Sequence, residues 1–129
     1  MTYPLEYYQF FVAFHEEDYY TCHDLLEEIW LSDRENLFIK GLLQMSVALY
    51  HYGYGNIKGA REMMKTAKHY LQSYRPSYWG VNIEEVIVFI DECLHVIPKE
   101  IEMVSFEQVK KLPKLPFLEL LLSDKGGEE

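Results

Sequence analysis

A chain of 129 residues with 49% hydrophobic and 16% aromatic content can bury a core of its own, and that composition is far from that of a disordered protein. The net charge of −9 argues against sequence-independent binding to nucleic acid and against polybasic attachment to a membrane surface, both of which need clustered cations. Arg61, Lys65 and Lys68 form a local basic cluster of the size an ordinary solvated helix face carries. Cys22 and Cys93 lack CxxC spacing and fall inside helical patterns, which predicts two buried free thiols. The opening Met1-Thr2-Tyr3-Pro4 has no signal-peptide pattern, and the longest mostly apolar run, Leu37 to Tyr52, is too short to span a bilayer. A cytoplasmic location is expected.

Apolar residues recur at helical spacing along most of the chain. Pro4 suits the start of a first helix carrying Leu5, Tyr8, Phe11, Val12 and Phe14. Asp18 is the N-cap candidate for a second helix running to about Trp30, with Tyr19, Cys22, His23, Leu26 and Trp30 on one stripe. Ser32-Asp33 is expected to end it and cap the next. The third segment, about residues 35–52, is apolar nearly all round, which predicts a central helix surrounded by the others. Gly53 and Gly55 punctuate its end, and Asn56 caps an amphipathic fourth helix from Ile57 to about Tyr74. Gly59 sits early in that helix against its propensity, which predicts close approach of another backbone. Asn82 with Glu85 marks a fifth helix, Ile83 to Ile97, closed by Pro98.

Pro113 and Pro116 then predict an extended arm whose Leu115, Phe117 and Leu120 lie against the bundle, with Ser123 to Glu129 disordered. The expected architecture is all-α. A helical bundle spans residues 1–112, and a C-terminal arm and tail follow over 113–129.

Polar residues interrupt two packing faces. On the second helix His23 lies beside the apolar stripe and Glu27 on its edge, with Asp24 and Glu28 pointing to solvent. On the third, steps of about 100° per residue align Lys40, Gln44, Val47 and His51 on one narrow stripe. Antiparallel packing about Ser32-Asp33 predicts three layers: Glu27 near Lys40, His23 near Gln44, and His15/Glu16 near His51. Such groups cost stability unless paired, so a buried network that fixes helix register is the first expectation. The alternative makes His23 a general base oriented by Glu27, with Gln44 and Asn56 holding a polar substrate group. Two ligands from one helix are short of a zinc shell, and neither a metal nor a cofactor is predicted. No phosphate loop, serine elbow or Cys–His nucleophile pattern is present.

The run His23-Asp24-Leu25-Leu26-Glu27-Glu28-Ile29-Trp30, then Gly41-Leu42-Leu43-Gln44, His51, Gly55-Asn56 and Gly59-Ala60, resembles domain-of-unknown-function family 309. The resemblance covers about residues 8–74. It implies a helical fold without an assigned activity, and carries over His23, Glu27, Trp30, Gln44, His51, Asn56 and Gly59 as motif positions. Asp24 stands where the family usually has Glu. The expected function is a non-enzymatic scaffold or interaction module, with a hydrolase or small-ligand binder as its rival. The candidate site comprises His23, Glu27, Lys40, Gln44, His51 and Asn56. The expected partner is a protein or a small ligand, with no nucleic acid and no membrane, and a homodimer through exposed aromatic surface is left open.

Overall fold

Pro4 lacks an N–H that an N-terminal turn would leave unbonded, and from it springs α1, Leu5–His15, in a computed structural model that describes residues 2–123. The helix buries Tyr7, Phe10, Phe11, Ala13 and Phe14, and leaves Leu5 and Val12 exposed. The expected stripe through Leu5, Tyr8 and Val12 is therefore rotated. Two overlapping stripes compete on this segment, and the one richer in rings removes more apolar area from water.

Glu17 turns the chain at φ 58°, and Asp18 caps α2, Tyr19–Leu31, by accepting from the Thr21 backbone N–H at 3.2 Å. The central helix α3, Leu37–Gly53, starts two residues later than expected. Its cap is Asn36, which accepts from the Ile39 N–H at 3.1 Å, while Asp33 only accepts from the Asn36 amide. Helix α4, Ile57–Leu71, ends in a 3-10 turn, Gln72–Tyr74. Helix α5, Ile83–Val96, is capped by Asn82 through the Glu85 N–H.

Two elements had no counterpart in the hydrophobic spacing, a 3-10 helix at Phe106–Lys111 and a hairpin. Strands β1, Ser77–Tyr78, and β2, Val81–Asn82, pair antiparallel with Ser77 opposite Asn82 and Tyr78 opposite Val81. Trp79 and Gly80 make the two-residue turn, with φ of 47° and 73°, the sign that such a tight hairpin requires at both positions. A tryptophan is strained in that conformation. It is held there by tertiary contacts: the Tyr7 hydroxyl donates to the Trp79 carbonyl at 2.8 Å, and the indole packs against Tyr3, Tyr7 and Phe38.

The chain is a single all-α domain with α3 at its centre, packed against α2 on one side and α4 on the other. Helix α1 covers α2, and α5 covers α4. Gly41 permits the α3–α4 crossing, since a Cβ there would lie 2.7 Å from the Leu71 side chain. Among the described residues no helix is long and apolar enough to cross a membrane.

After Pro98 the chain returns over its own bundle. Arg61 donates to the carbonyls of Pro98 and Ile101, and Gly55 and Lys58 exchange backbone hydrogen bonds with Val104 and Glu102. Gly55, at φ +88°, has no room for a Cβ because the Val104 carbonyl occupies that space. Further on, the Tyr52 hydroxyl donates to the Pro113 carbonyl, and a His15 ring nitrogen meets the Leu120 carbonyl at 3.0 Å. Leu120 is buried and Leu115 half-buried, whereas Phe117 is 76% exposed and so departs from the expected contact. Of the tail expected to be disordered, Ser123 donates to the Gly80 carbonyl, and residues 124–129 lie outside the described residues.

Candidate interaction face between α2 and α3

Helix α3 is buried on every side but one. Lys40, Gln44, Val47 and His51 are the half-buried positions that remain, together with Tyr50. They follow i, i+4, i+7, i+11 spacing, so they form one open line along the helix. Helix α2 borders that line with Tyr20, His23, Glu27 and Trp30, none of which is buried.

Contacts across the seam fix its register. Lys40 Nζ lies 4.1 Å above the Trp30 ring, and the rings of Tyr20 and Tyr50 are 5.7 Å apart. The helices are antiparallel, but Lys40 meets Trp30 rather than Glu27, a displacement of three residues or nearly one turn. The cause is the cap: because Asn36 starts α3, the connection is longer and the point of reflection moves along the chain. Among the described residues no hydrogen bond or ion pair joins Glu27 to Lys40 or His23 to Gln44. His15, expected near His51, is instead engaged with the arm at Leu120. The three layers are thus not closed to water: the His23 and Glu27 side chains are 31% and 47% exposed.

His23 and His51 are each engaged close by in sequence. The His23 ring lies between two carboxylates of its own helix, with Nδ1 3.2 Å from Asp24 Oδ1 and Nε2 3.7 Å from Glu27 Oε2. Asp24, exposed as expected, nevertheless reaches the imidazole. At the far end of α3, Asn56 Oδ1 accepts the Gly59 N–H at 2.9 Å, which orients the amide so that Nδ2 faces His51 Nδ1 at 3.3 Å. An amide NH2 only donates, so His51 Nδ1 accepts and the ring proton sits on Nε2. Gly59 serves this arrangement: a Cβ there would fall 2.4 to 2.9 Å from the Asn56 carboxamide. The close approach at Gly59 is therefore that of a side chain, where another backbone was expected.

Two buried polar atoms lack any partner among the described residues, Trp30 Nε1 and Gln44 Oε1. Both belong to the seam. Trp30 also carries two cations, since Arg34 lies 5.3 Å from the ring centroid beside Lys40. Neither cation forms an ion pair among the described residues. Beyond Tyr20 the aromatic row continues from Tyr50 to Tyr54 at 4.6 Å and to Phe106 at 5.8 Å. Tyr20, Tyr54 and Phe106 are each more than half exposed. Burial, then the neighbouring Tyr54, raises the Tyr50 phenol above its ordinary range. Sequence spacing offered a signal for this row in the i, i+4 pair Tyr50–Tyr54, but the contribution of Phe106 depends on the chain returning over the bundle after Pro98.

Nucleophilic chemistry has little support here. Cys22 and Cys93 are buried free thiols pushed up to about 12, chiefly by burial. Among the described residues no group of three or more His, Cys, Asp or Glu could hold a metal ion.

Comparison with known proteins agrees with the motif reading. The chain is 31% identical over 107 residues to the "Uncharacterized protein YpuF" of Bacillus subtilis (strain 168), covering 80% of this chain and 60% of that protein. It is 27% identical over 85 residues to an "Uncharacterized protein" of Aquifex aeolicus (strain VF5), covering 64% of this chain and 26% of that one. The chain therefore spans less than two thirds of either relative. No solved structure matches it. Residues 7–63, which carry most of α1, all of α2 and α3, the seam and the start of α4, match the family described as "Domain of unknown function (DUF309)".

Proposed function

We propose that the chain is a non-enzymatic interaction module whose α2–α3 face receives a protein partner. One observation carries this reading. The most buried helix of the fold keeps a single line of side chains half-open, and the two buried polar atoms lacking partners among the described residues lie on that same seam. Unsatisfied buried groups each cost about 1–3 kcal/mol, a burden that packing alone gives no reason to keep. The partner that fits presents an acidic side chain to Lys40 and Arg34 over Trp30, and apolar groups to Tyr20, Tyr50 and Tyr54. Displacing the flexible Lys40 stem from the indole would bring Trp30 Nε1 within reach of a partner's carbonyl. A cytoplasmic location belongs to the same reading and is supported by the two free thiols.

The hydrolase alternative rests on His23 standing between Asp24 and Glu27. It needs Glu27 to orient the ring by a hydrogen bond, and the 3.7 Å separation is an ion-pair distance. The interaction reading is therefore preferred.

A photocrosslinking residue at Tyr20, compared with one at the exposed Val88 of α5, tests the proposal in cells. Discrete adducts from position 20 that disappear with Lys40→Glu support it. Equal adducts from both positions, or adducts indifferent to Lys40→Glu, would discard it.

A further inference from the structure

Where the arm crosses the bundle it leaves a cleft of about 540 Å³. Its floor comes from three helices: Phe14 of α1, Leu49 and Tyr52 of α3, and Phe89 of α5. Its roof is the arm around Leu115 and Pro116. The arm is tied at Pro113 by the Tyr52 hydroxyl and at Leu120 by His15, and two prolines keep the stretch between them extended. Phe117, the one aromatic ring on that stretch, is turned largely to solvent and leaves the space beneath unfilled. Size and lining fall in the range of small-molecule sites: an apolar floor with few polar groups.

Those polar groups indicate the ligand. Tyr19 lines the cleft, and its hydroxyl has no hydrogen-bond partner among the described residues. Burial and then the charge of Glu17 push its phenol up to about 12, so it stays a neutral donor. Lys110 and Lys114 also line the cleft, both exposed and neither ion-paired among the described residues, and Glu17 is the one carboxylate among the described lining residues. In a chain of net charge −9 this lining carries a local excess of positive charge.

We propose that the cleft binds an aliphatic carboxylate of medium chain length, its tail against Phe14, Leu49 and Phe89 and its head group between Lys110 and Lys114. The site lies at the arm and does not depend on the α2–α3 face being an interface.

Titration calorimetry and side-chain NMR with decanoate, decan-1-ol and decylammonium test it on the full chain, below their aggregation thresholds. The expected result is saturable 1:1 binding of decanoate, with shifts at Leu49, Phe89 and Leu115, and roughly tenfold weaker binding of the alcohol, as loss of a charge-assisted contact predicts. Lys110→Glu combined with Lys114→Glu, at exposed positions that leave the core intact, should weaken decanoate by a similar factor and leave the alcohol unchanged. Leu49→Trp, which fills the cleft, should abolish binding of both. Equal affinity for all three amphiphiles, preference for the ammonium, shifts confined to the Trp30–Lys40 and Tyr20–Tyr50 seam, or no binding would each overturn the proposal.

Discussion

Asn56 and His51 are joined by a 3.3 Å contact whose direction is set elsewhere, because the carbonyl end of the same Asn56 amide caps α4 at Gly59. One side chain thus starts a helix and fixes the tautomer of a histidine on the preceding one. Asn56→Asp should retain the cap but present a carboxylate to His51 Nδ1, moving the ring proton to Nδ1. Nitrogen-15 shifts of the His51 ring would read the change of tautomer, from Nε2–H in the parent to Nδ1–H in the variant. Asn56→Ala should lose about 1 kcal/mol from the cap alone in thermal melts.

Gly59→Ala sets helix propensity against space. Alanine is worth up to about 1 kcal/mol over glycine inside a helix. Here the added Cβ displaces an amide held at both ends, so the variant should melt lower and lose the His51 tautomer preference. In an Asn56→Ala background the same substitution should become neutral or stabilising. A double-mutant cycle that found simple additivity would sever the link between the two positions.

Gly41→Ala tests the α3–α4 crossing. Its Cβ would meet Leu71 Cγ and Cδ2 at 2.7 Å, with Tyr70 Cβ at 3.3 Å behind. Overpacking of that kind costs about 1–3 kcal/mol, more than helix propensity returns. Denaturant melts should show the loss, and Leu71→Val in the same chain should recover part of it by giving the methyl room.

Most of the fold was legible because amphipathic spacing and caps agree along the chain: Asp18, Asn56 and Asn82 each cap the helix they precede. The β1–β2 hairpin escaped notice because its turn places tryptophan where asparagine or glycine is the usual signal, and only the Tyr7 hydroxyl and surrounding rings make that conformation tolerable. The seam was half legible. Periodicity gathered Lys40, Gln44 and His51 on one line, but register depended on whether Asp33 or Asn36 capped α3, a choice between two good caps three residues apart. Phe106 joins the aromatic row only because the chain returns over the bundle after Pro98, and local spacing carries no information about such long-range contacts.

The openness of the seam predicts how little its polar groups support the fold. His23→Ala and Glu27→Gln, at partly exposed positions with local partners only, should each change stability by less than about 0.5 kcal/mol. Gln44→Met should raise the melting temperature, since it removes a buried acceptor lacking a partner and keeps the volume. A large loss in all three variants would mean that the seam is architectural, and would remove the ground for an interaction face.

Alkaline titration should reveal the buried thiols. Cys22 and Cys93 have an ordinary value of 9.0 and are held near 12 in the folded chain. Between those limits the unfolded chain has released protons that the native chain retains, so stability falls as pH rises through that window. The fall is at most about 1.4 kcal/mol per thiol for each pH unit, less whatever solvent screening removes. Below pH 9 this contribution is fully present and flat. Tyr19 adds a second decline between its ordinary 10.0 and about 12. Denaturant melts from pH 8 to 11 should therefore slope downward, and Cys22→Ala with Cys93→Ala should flatten the part beginning near pH 9 while leaving the later decline. Thiol-specific reagents at pH 8 should label neither cysteine at a measurable rate until the chain unfolds, because burial denies them both the thiolate and the access that the reaction needs.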